Sequence, residues 1–263
     1  MDFETIKVEH SDGIATITLN LPDRLNPIGV KMINEIIQAC DEIEQGREAR
    51  VIVFTGAGRS FCAGADLEDL QKTMSFKPAE LESSLRLWFL LVWRIKNVEL
   101  PTIAAVNGHA LGGGFALALA CDIRMASDDA KAGAVFVQRG ASSADMGVSW
   151  ILPRLVGAGR AAELMMTGDV IDAATAERIG LFNHVVPRDR LMEATMEMAG
   201  KLAAGPPLGL KFTKRALKRS VWEGLQGQLD FENDTQSLCF LSEDFHEGVT
   251  SFFEKRPPKL RGC

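Results

Sequence analysis

Positive charge is in short supply in this chain: 29 Lys and Arg stand against 35 Asp and Glu, a formal net charge of -6. Nucleic acid is therefore not an expected partner, since it calls for a basic footprint, and an anionic ligand has to be held locally. Cysteine is sparse. Its five positions, Cys40, Cys62, Cys121, Cys239 and Cys263, are odd in number, far apart and never in a Cys-x-x-Cys pair, which fits a reduced, cytosolic setting. His10, His109, His184 and His246 are too scattered for a zinc centre, so no metal is expected. The first residues, Met1-Asp2-Phe3-Glu4, lack the positive charge of a secretory leader. There is no Gly-x-Ser-x-Gly elbow, which argues against a hydrolase of that type. Residues 108–113 have the glycine spacing of a phosphate loop without its Lys and Ser/Thr, and residues 112–117 match only two positions of a dinucleotide fingerprint. Residues 102–121 are uncharged and long enough to span a bilayer, but they enclose Asn107, His109 and a glycine cluster, and the expectation is no membrane segment.

What is present reads as a globular α/β protein, 46% hydrophobic and 24% charged, long enough at 263 residues to bury a substantial core. Residues 4–10 and 13–19 alternate around Ser11-Asp12-Gly13, a hairpin pattern. Val30, Ile33, Ile36, Ile37, Cys40 and Ile43 recur at helical spacing, with Gly46 as the expected stop. Val51-Ile52-Val53-Phe54-Thr55 is apolar on both faces, as in a strand covered from two sides. A helix over 80–98 is expected to bury Leu85, Trp88, Phe89 and Val92. Residues 121–126 and part of 131–138 read as strands. From about Gly147 onward helices dominate, over 151–155, 160–166, 173–179, 188–204, 208–220 and 222–241, with only 183–186 strand-like. No low-complexity linker separates an α/β front from this helical remainder.

The most informative stretch is Asn107-Gly108-His109-Ala110-Leu111-Gly112-Gly113-Gly114, between the apolar run Thr102-Ile103-Ala104-Ala105-Val106 and the helix-like Phe115-Ala116-Leu117-Ala118-Leu119. Four glycines in seven residues suit a place where the main chain itself must come close to something. At a helix start, free N–H groups favour an oxygen bearing negative charge. Residues 56–67 repeat the construction: a strand, then Gly56-Ala57-Gly58 and Cys62-Ala63-Gly64-Ala65-Asp66, then a helix.

These two junctions, Ser60-Phe61-Cys62-Ala63-Gly64-Ala65-Asp66-Leu67 and Ala105-Val106-Asn107-Gly108-His109-Ala110-Leu111-Gly112-Gly113-Gly114, together with Cys121-Asp122-Ile123-Arg124, resemble the enoyl-CoA hydratase/isomerase (crotonase) superfamily over nearly the whole chain. Pro22-Asp23-Arg24-Leu25-Asn26-Pro27, Leu152-Pro153-Arg154-Leu155-Val156-Gly157 and Phe252-Phe253-Glu254-Lys255-Arg256 support it. The resemblance implies a crotonase-like α/β spiral of ββα units over residues 1–200, carrying an acyl-CoA site. It implies a helical region over 201–263 used to form a homotrimer or a dimer of trimers. Coenzyme A would enter only as part of the substrate, with no separate cofactor. By position, the N–H groups of Ala65 and Gly113 would form an oxyanion hole, where fixed donors stabilise charge as it develops. Arg24, Leu25, Ala63, Asp66 and Leu67 would lie along the coenzyme A moiety. Phe252 and Lys255 would reach its nucleotide end, from a neighbouring subunit in one version. Read locally, Asp66 is a helix cap, Cys62 a small packed residue, and Lys211, Lys214, Arg215, Lys218 and Arg219 a solvent or subunit surface; Trp88 and Phe89 read as a core helix face, with the lining of an acyl pocket as the alternative.

The sequence departs from the hydratases of this family at the two glutamates that hold water. One position is Ala116, the other falls at or near Val137, and no Asp or Glu occurs between Asp129 and Asp145. An alkyl group cannot move a proton. Asp145, in Ala144-Asp145-Met146-Gly147, sits where related isomerases carry a catalytic aspartate and related dehalogenases a nucleophilic one, if one extra residue is allowed after Gly140. Its local alternative is an N-cap for the helix beginning near Gly147. Four activities stay open on this reading: isomerase-type proton transfer by Asp145, hydration with an atypical acid/base set, hydrolysis or dehalogenation through an Asp145 nucleophile, and acyl-CoA binding without catalysis.

Overall fold

A computed structural model describes residues 3–262, which leaves Cys263 outside the described residues. The chain opens with the expected hairpin, β1 (Ile6–Ser11) and β2 (Ile14–Leu19), paired antiparallel through a turn in which Asp12 and Gly13 both take positive φ. Helix α1 (Val30–Gly46) buries Met32, Ile33, Ile36, Ala39, Cys40 and Ile43. It runs through Gly46, and Arg47 takes the left-handed cap instead.

Then the chain makes the same passage three times. Strand β3 (Val51–Gly56) is followed by β4 (Ser60–Cys62), α2 (Leu67–Thr73) and α3 (Pro78–Asn97). Strand β5 (Thr102–Val106) is followed by β6 (His109–Leu111) and α4 (Gly113–Ala120). Strand β7 (Ile123–Ser127) is followed by β8 (Lys131–Gly133), a short 3-10 turn over Val135–Arg139, and α5 (Val148–Val156). In each pass the first strand joins one sheet and the second joins another. Helix α6 (Ala158–Thr167), β9 (Ile171–Asp172), α7 (Ala173–Arg178), β10 (His184–Val186) and α8 (Leu191–Ala203) follow. The chain ends in α9 (Pro207–Arg219), α10 (Leu225–Phe240) and α11 (Glu243–Phe253). The six-stranded sheet runs β1-β2-β3-β5-β7-β10 and the four-stranded sheet β4-β6-β8-β9. All pairings are parallel except β1 with β2 and β8 with β9. This is the spiral of ββα units, with a helical C-terminal region.

The all-apolar β3 is explained by its two faces. Ile52 and Phe54 point into the main core, while Val51 and Val53 join Ile103, Ala105 and Met125 under α8, against Leu191, Ala199 and Ala203. Glycine makes the crossings between sheets possible: a Cβ on Gly56 would stand 2.2 Å from the Ser60 carbonyl oxygen, and one on Gly108 2.2 Å from that of Arg59. Helix α4 has every residue buried, enclosed by α3 and α5. On α3 the buried residues are Leu91, Val92, Arg94 and Ile95, whereas Leu85 and Phe89 face outward, so the expected core face is rotated from its place. Of residues 131–138, read as strand in part, β8 is that part and a 3-10 turn follows over 135–139; α11 lies beyond the last helix read from the pattern.

Lys214, read as a surface lysine, is 6% exposed; its Nζ donates to the Leu100 carbonyl at 2.7 Å and pairs with Asp122 at 2.7 Å. Lys211 and Arg215 pair with Glu99. These bonds dock α9 on the α/β body.

Asn26 is the main polar fastener of the first junction. It is fully buried, at φ +55, a conformation asparagine tolerates better than most residues. Its Nδ2 donates to the carbonyls of Ala57 (2.9 Å), Ser60 (2.8 Å) and Phe61 (3.2 Å), and its Oδ1 accepts from Leu21 N–H at 2.9 Å. Asn26→Ala would strand several buried groups, each at about 1–3 kcal/mol. We expect a loss of roughly 3 kcal/mol or more, measured as a lower urea midpoint at unchanged m-value; an unshifted midpoint would contradict the fastener role.

Candidate functional site

Because β4 and β6 are parallel neighbours, their C-terminal ends lie side by side, and so do the two glycine junctions that follow them. At the first, the neighbours of Ala65 spend their N–H groups: Ala63 on the Leu25 carbonyl (3.0 Å), Gly64 on the Cys62 sulfur (3.4 Å), Asp66 on the Ile28 carbonyl (2.7 Å). At the second, Gly112 N–H donates to the Gly133 carbonyl (3.0 Å), and Ala116 N–H closes the first turn of α4 on Gly112 (3.0 Å). Among the described residues, the N–H groups of Ala65 and Gly113 find no acceptor. The two meet: a Cβ placed on Gly113 would lie 3.8 Å from Ala65 N, and one placed on Gly64 would lie 4.0 Å from Gly113 N. Gly64 has φ +114, which only glycine adopts without strain. The junctions therefore converge on one spot, with two unspent donors and the N-terminal end of a buried helix facing it.

Two further residues touch that spot. The Gly113 Cβ position is 3.5 Å from Met146 Sδ and 3.6 Å from Trp88 Cζ3. Met146 is buried, with φ +45, and Gly147 continues the left-handed turn at φ +76. A methionine in that region costs strain that the surroundings must hold in place. Asp145 immediately precedes this turn. Helix α5 has Gly147 at its N-cap with no side chain capping it, so Asp145 does not cap that helix; its Oδ1 accepts from Met146 N–H at 2.8 Å. Burial raises the Asp145 carboxyl above its ordinary range, only partly offset by that one bond, and no charged neighbour contributes.

This shift has a consequence for stability. The folded-state pKa lies above the unfolded one, so between the two values the folded chain binds more protons and the stability of the protein falls as pH rises through that window. Asp145→Asn removes the titration while its amide oxygen retains an acceptor for Met146. Relative to its own value below about pH 4, where the unfolded carboxyl is protonated, the variant should gain melting temperature over the parent as pH rises. A difference that is flat with pH would show that the carboxyl is not desolvated.

The remaining residues are placed as follows. Ala116 is fully buried in α4, and Val137 packs its Cγ2 against Gly168, so neither puts a titratable group near the junctions. Asp66 caps α2, accepting from Glu68 N–H at 2.9 Å, and pairs with Arg24 at 3.0 Å; Glu68 is 3.6 Å from the same guanidinium. Leu25, at φ +62, lies against the first junction through its carbonyl, and Leu67 is 72% exposed at the start of α2. Cys62 is fully buried, its thiol pushed up to about 12 by burial, and it fills the space left by Gly114. Phe252 and Lys255 are not brought to the junctions. Phe252 lines a cavity of about 570 Å³ among α9, α10 and α11, with Phe240, Phe245 and Val249, and Lys255, at φ +55, follows α11. Trp88 packs against the core, as its helix-face reading has it, and also reaches the Gly113 position; Met146 carries no signal in the sequence, since no local pattern marks a methionine for a left-handed turn. Among the described residues no three His, Cys, Asp or Glu side chains are grouped to hold a metal, and no helix is long and apolar enough to cross a membrane.

Comparison with known proteins places this arrangement. A family model described as enoyl-CoA hydratase/isomerase matches residues 9–262. A probable enoyl-CoA hydratase of Mycobacterium leprae is 36% identical, over 95% of this chain and 88% of its own. A 1,2-epoxyphenylacetyl-CoA isomerase of Escherichia coli is also 36% identical, over 100% of this chain and 99% of its own. A solved enoyl-CoA hydratase subunit from Geobacillus kaustophilus superposes with a TM-score of 0.93 at 40% identity, covering 100% of both chains.

Proposed function

The chain belongs to the enoyl-CoA hydratase/isomerase family, and from that premise we propose that it shifts a carbon–carbon double bond in an acyl-CoA by proton transfer through Asp145. The thioester oxygen would accept from Ala65 N–H and Gly113 N–H. The Asp145 carboxylate would take a proton alpha or gamma to the carbonyl, and the released electron pair would delocalise onto that oxygen as an enolate. The same carboxyl, now protonated, would return the proton at the other end of the conjugated system. Fixed main-chain donors suit this because they do not titrate and need no reorganisation as charge develops; one such donor is worth about 3 kcal/mol in a well-measured case.

The observation that supports this reading is the partly buried carboxyl of Asp145, next in sequence to Met146, whose sulfur lies against the Gly113 position. The carboxylate next to Met146 is desolvated and unpaired by any cation, while alkyl side chains stand at Ala116 and Val137. A carboxyl raised by burial is better matched to both accepting and donating a proton. The Escherichia coli relative is likewise named as an isomerase of a coenzyme A thioester, its substrate an epoxide. Hydration is the second reading, favoured by the relatives named as hydratases; it would need Asp145 to work through an ordered water. Incubating a 3-enoyl-CoA and a 2-enoyl-CoA with the enzyme in deuterium oxide separates the readings. Double-bond migration with deuterium at the alpha or gamma carbon is the expected result. A 3-hydroxyacyl-CoA as the product would establish hydration, and free coenzyme A thiol would establish hydrolysis.

Arg24, Leu25, Ala63, Asp66 and Leu67 would follow the coenzyme A moiety away from the hole. The apolar exposure along α10 and α11, with Leu225, Leu241, Phe252 and Phe253 each at 76–80%, supports a subunit-contacting role for this region. A homotrimer or dimer of trimers would let Phe252 and Lys255 serve a neighbour's nucleotide end.

A further inference from the structure

The spot in front of Gly113 is walled as well as floored. An atom one bond beyond its Cα touches Met146 Sδ at 3.5 Å and the Trp88 ring at 3.6 Å, with Ala65 N at 3.8 Å. The walls come from separate elements: Trp88 projects from α3, and Met146 from the left-handed turn before α5. One helical turn beyond Trp88, Val92 continues the same face of α3 and places Cγ1 3.5 Å from the Cβ position of Gly147. So a single stripe, Trp88 to Val92, runs from the donors to the turn that holds Asp145. Met146 is buried with its backbone fixed, which leaves its thioether little room to withdraw. An acyl group whose carbonyl were seated on the donors would have an indole edge and a sulfur beside its first carbons.

We propose that Trp88 and Met146 select the acyl group, favouring one that is flat and conjugated or aromatic next to the thioester and disfavouring a long flexible alkyl chain. The proposal rests on the reading of Ala65 and Gly113 as the seat of the thioester oxygen. Polarisable ring and sulfur surfaces gain from a π-system held at van der Waals contact. A flat acyl group also loses less rotational freedom on entering such a passage than a saturated chain does.

The test is binding, so it does not depend on turnover. Benzoyl-CoA, dodecanoyl-CoA and coenzyme A are titrated calorimetrically into the intact protein and into Trp88→Ala, Trp88→Phe and Met146→Leu, each first checked for parental circular dichroism. Benzoyl-CoA is expected to bind the parent roughly tenfold tighter than dodecanoyl-CoA, the size of one aromatic or sulfur–aromatic contact. Trp88→Ala should erase or invert that ratio, Trp88→Phe should keep most of it, and Met146→Leu should reduce it. Coenzyme A should bind all four proteins alike. A parental preference for dodecanoyl-CoA, or an unchanged ratio in Trp88→Ala, overturns the selection while leaving the proposed chemistry standing. Failure of every acyl-CoA to bind overturns both. An inert Asp145 with the expected ratios overturns only the proton-transfer reading.

Discussion

Asp145→Asn is expected to lower turnover of an enoyl-CoA by roughly 10²- to 10⁴-fold, the usual contribution of a positioned acid–base group, with acyl-CoA affinity little changed. The substitution keeps the oxygen that accepts from Met146 N–H, so the left-handed turn at Met146 and Gly147 has no reason to move. What is lost is a partly buried carboxyl next in sequence to Met146, whose sulfur lies against the Gly113 position. Solvent deuterium should stop entering the alpha and gamma carbons in step with the loss of turnover. Full activity in the variant would remove Asp145 from the chemistry. An acyl adduct trapped on Asp145 of the parent enzyme would make it a nucleophile instead of a base. The rate should also rise with pH through a carboxyl titration displaced above the usual range, because burial raises that carboxyl and only the carboxylate can abstract a proton.

The elements that could be read from the sequence were those whose local chemistry and tertiary role agree. The hairpin at Asp12-Gly13, the two-faced strand β3 and the glycine junctions at Gly64 and Gly112 each carry their own reason in adjacent residues. The third pass of the spiral, β7 to β8, turns through Asp128 and Asp129 without a glycine cluster, and its continuation over Val135–Arg139 is a 3-10 turn, so only part of the strand-like run 131–138 is strand. On α3, three outward apolar residues, Leu85, Phe89 and Trp93, compete with the buried stripe of Leu91 and Ile95, so of the face read from periodicity Val92 and Trp88 pack on the core while Leu85 and Phe89 do not. The donors of the site were legible because main-chain chemistry needs glycines close by. Its walls were less so, with Trp88 only an alternative to a core residue and Met146 unmarked: the two come together across 58 positions of sequence, and only the packing of α3 on the turn before α5 brings them to Gly113.

The three consecutive glycines differ in why they are glycine, and that difference yields the second large effect. Gly112 has φ +51. Gly114 has no room: an added Cβ would stand 2.3 Å from the Cys62 carbonyl oxygen and 2.7 Å from its sulfur. Gly113 has neither constraint, since its φ is not left-handed and an added Cβ would meet its neighbours at 3.5 Å or more. Packing and backbone conformation therefore both permit alanine there, and alanine is the better helix former by about 1 kcal/mol in a helix interior. That added methyl would occupy the space between Gly113 N and Ala65 N where the thioester oxygen is proposed to sit. Gly113→Ala should fold with an unchanged or slightly raised denaturation midpoint, yet lose roughly 10²- to 10³-fold in kcat/KM, the scale of a disabled oxyanion donor. Gly114→Ala should show the opposite order of effects, a stability loss of about 1–3 kcal/mol from overpacking against backbone that cannot yield, with activity falling as the junction shifts. If Gly113→Ala keeps full kcat/KM, the space in front of it holds no reacting oxygen, and the glycine would be left without a physical reason at that position.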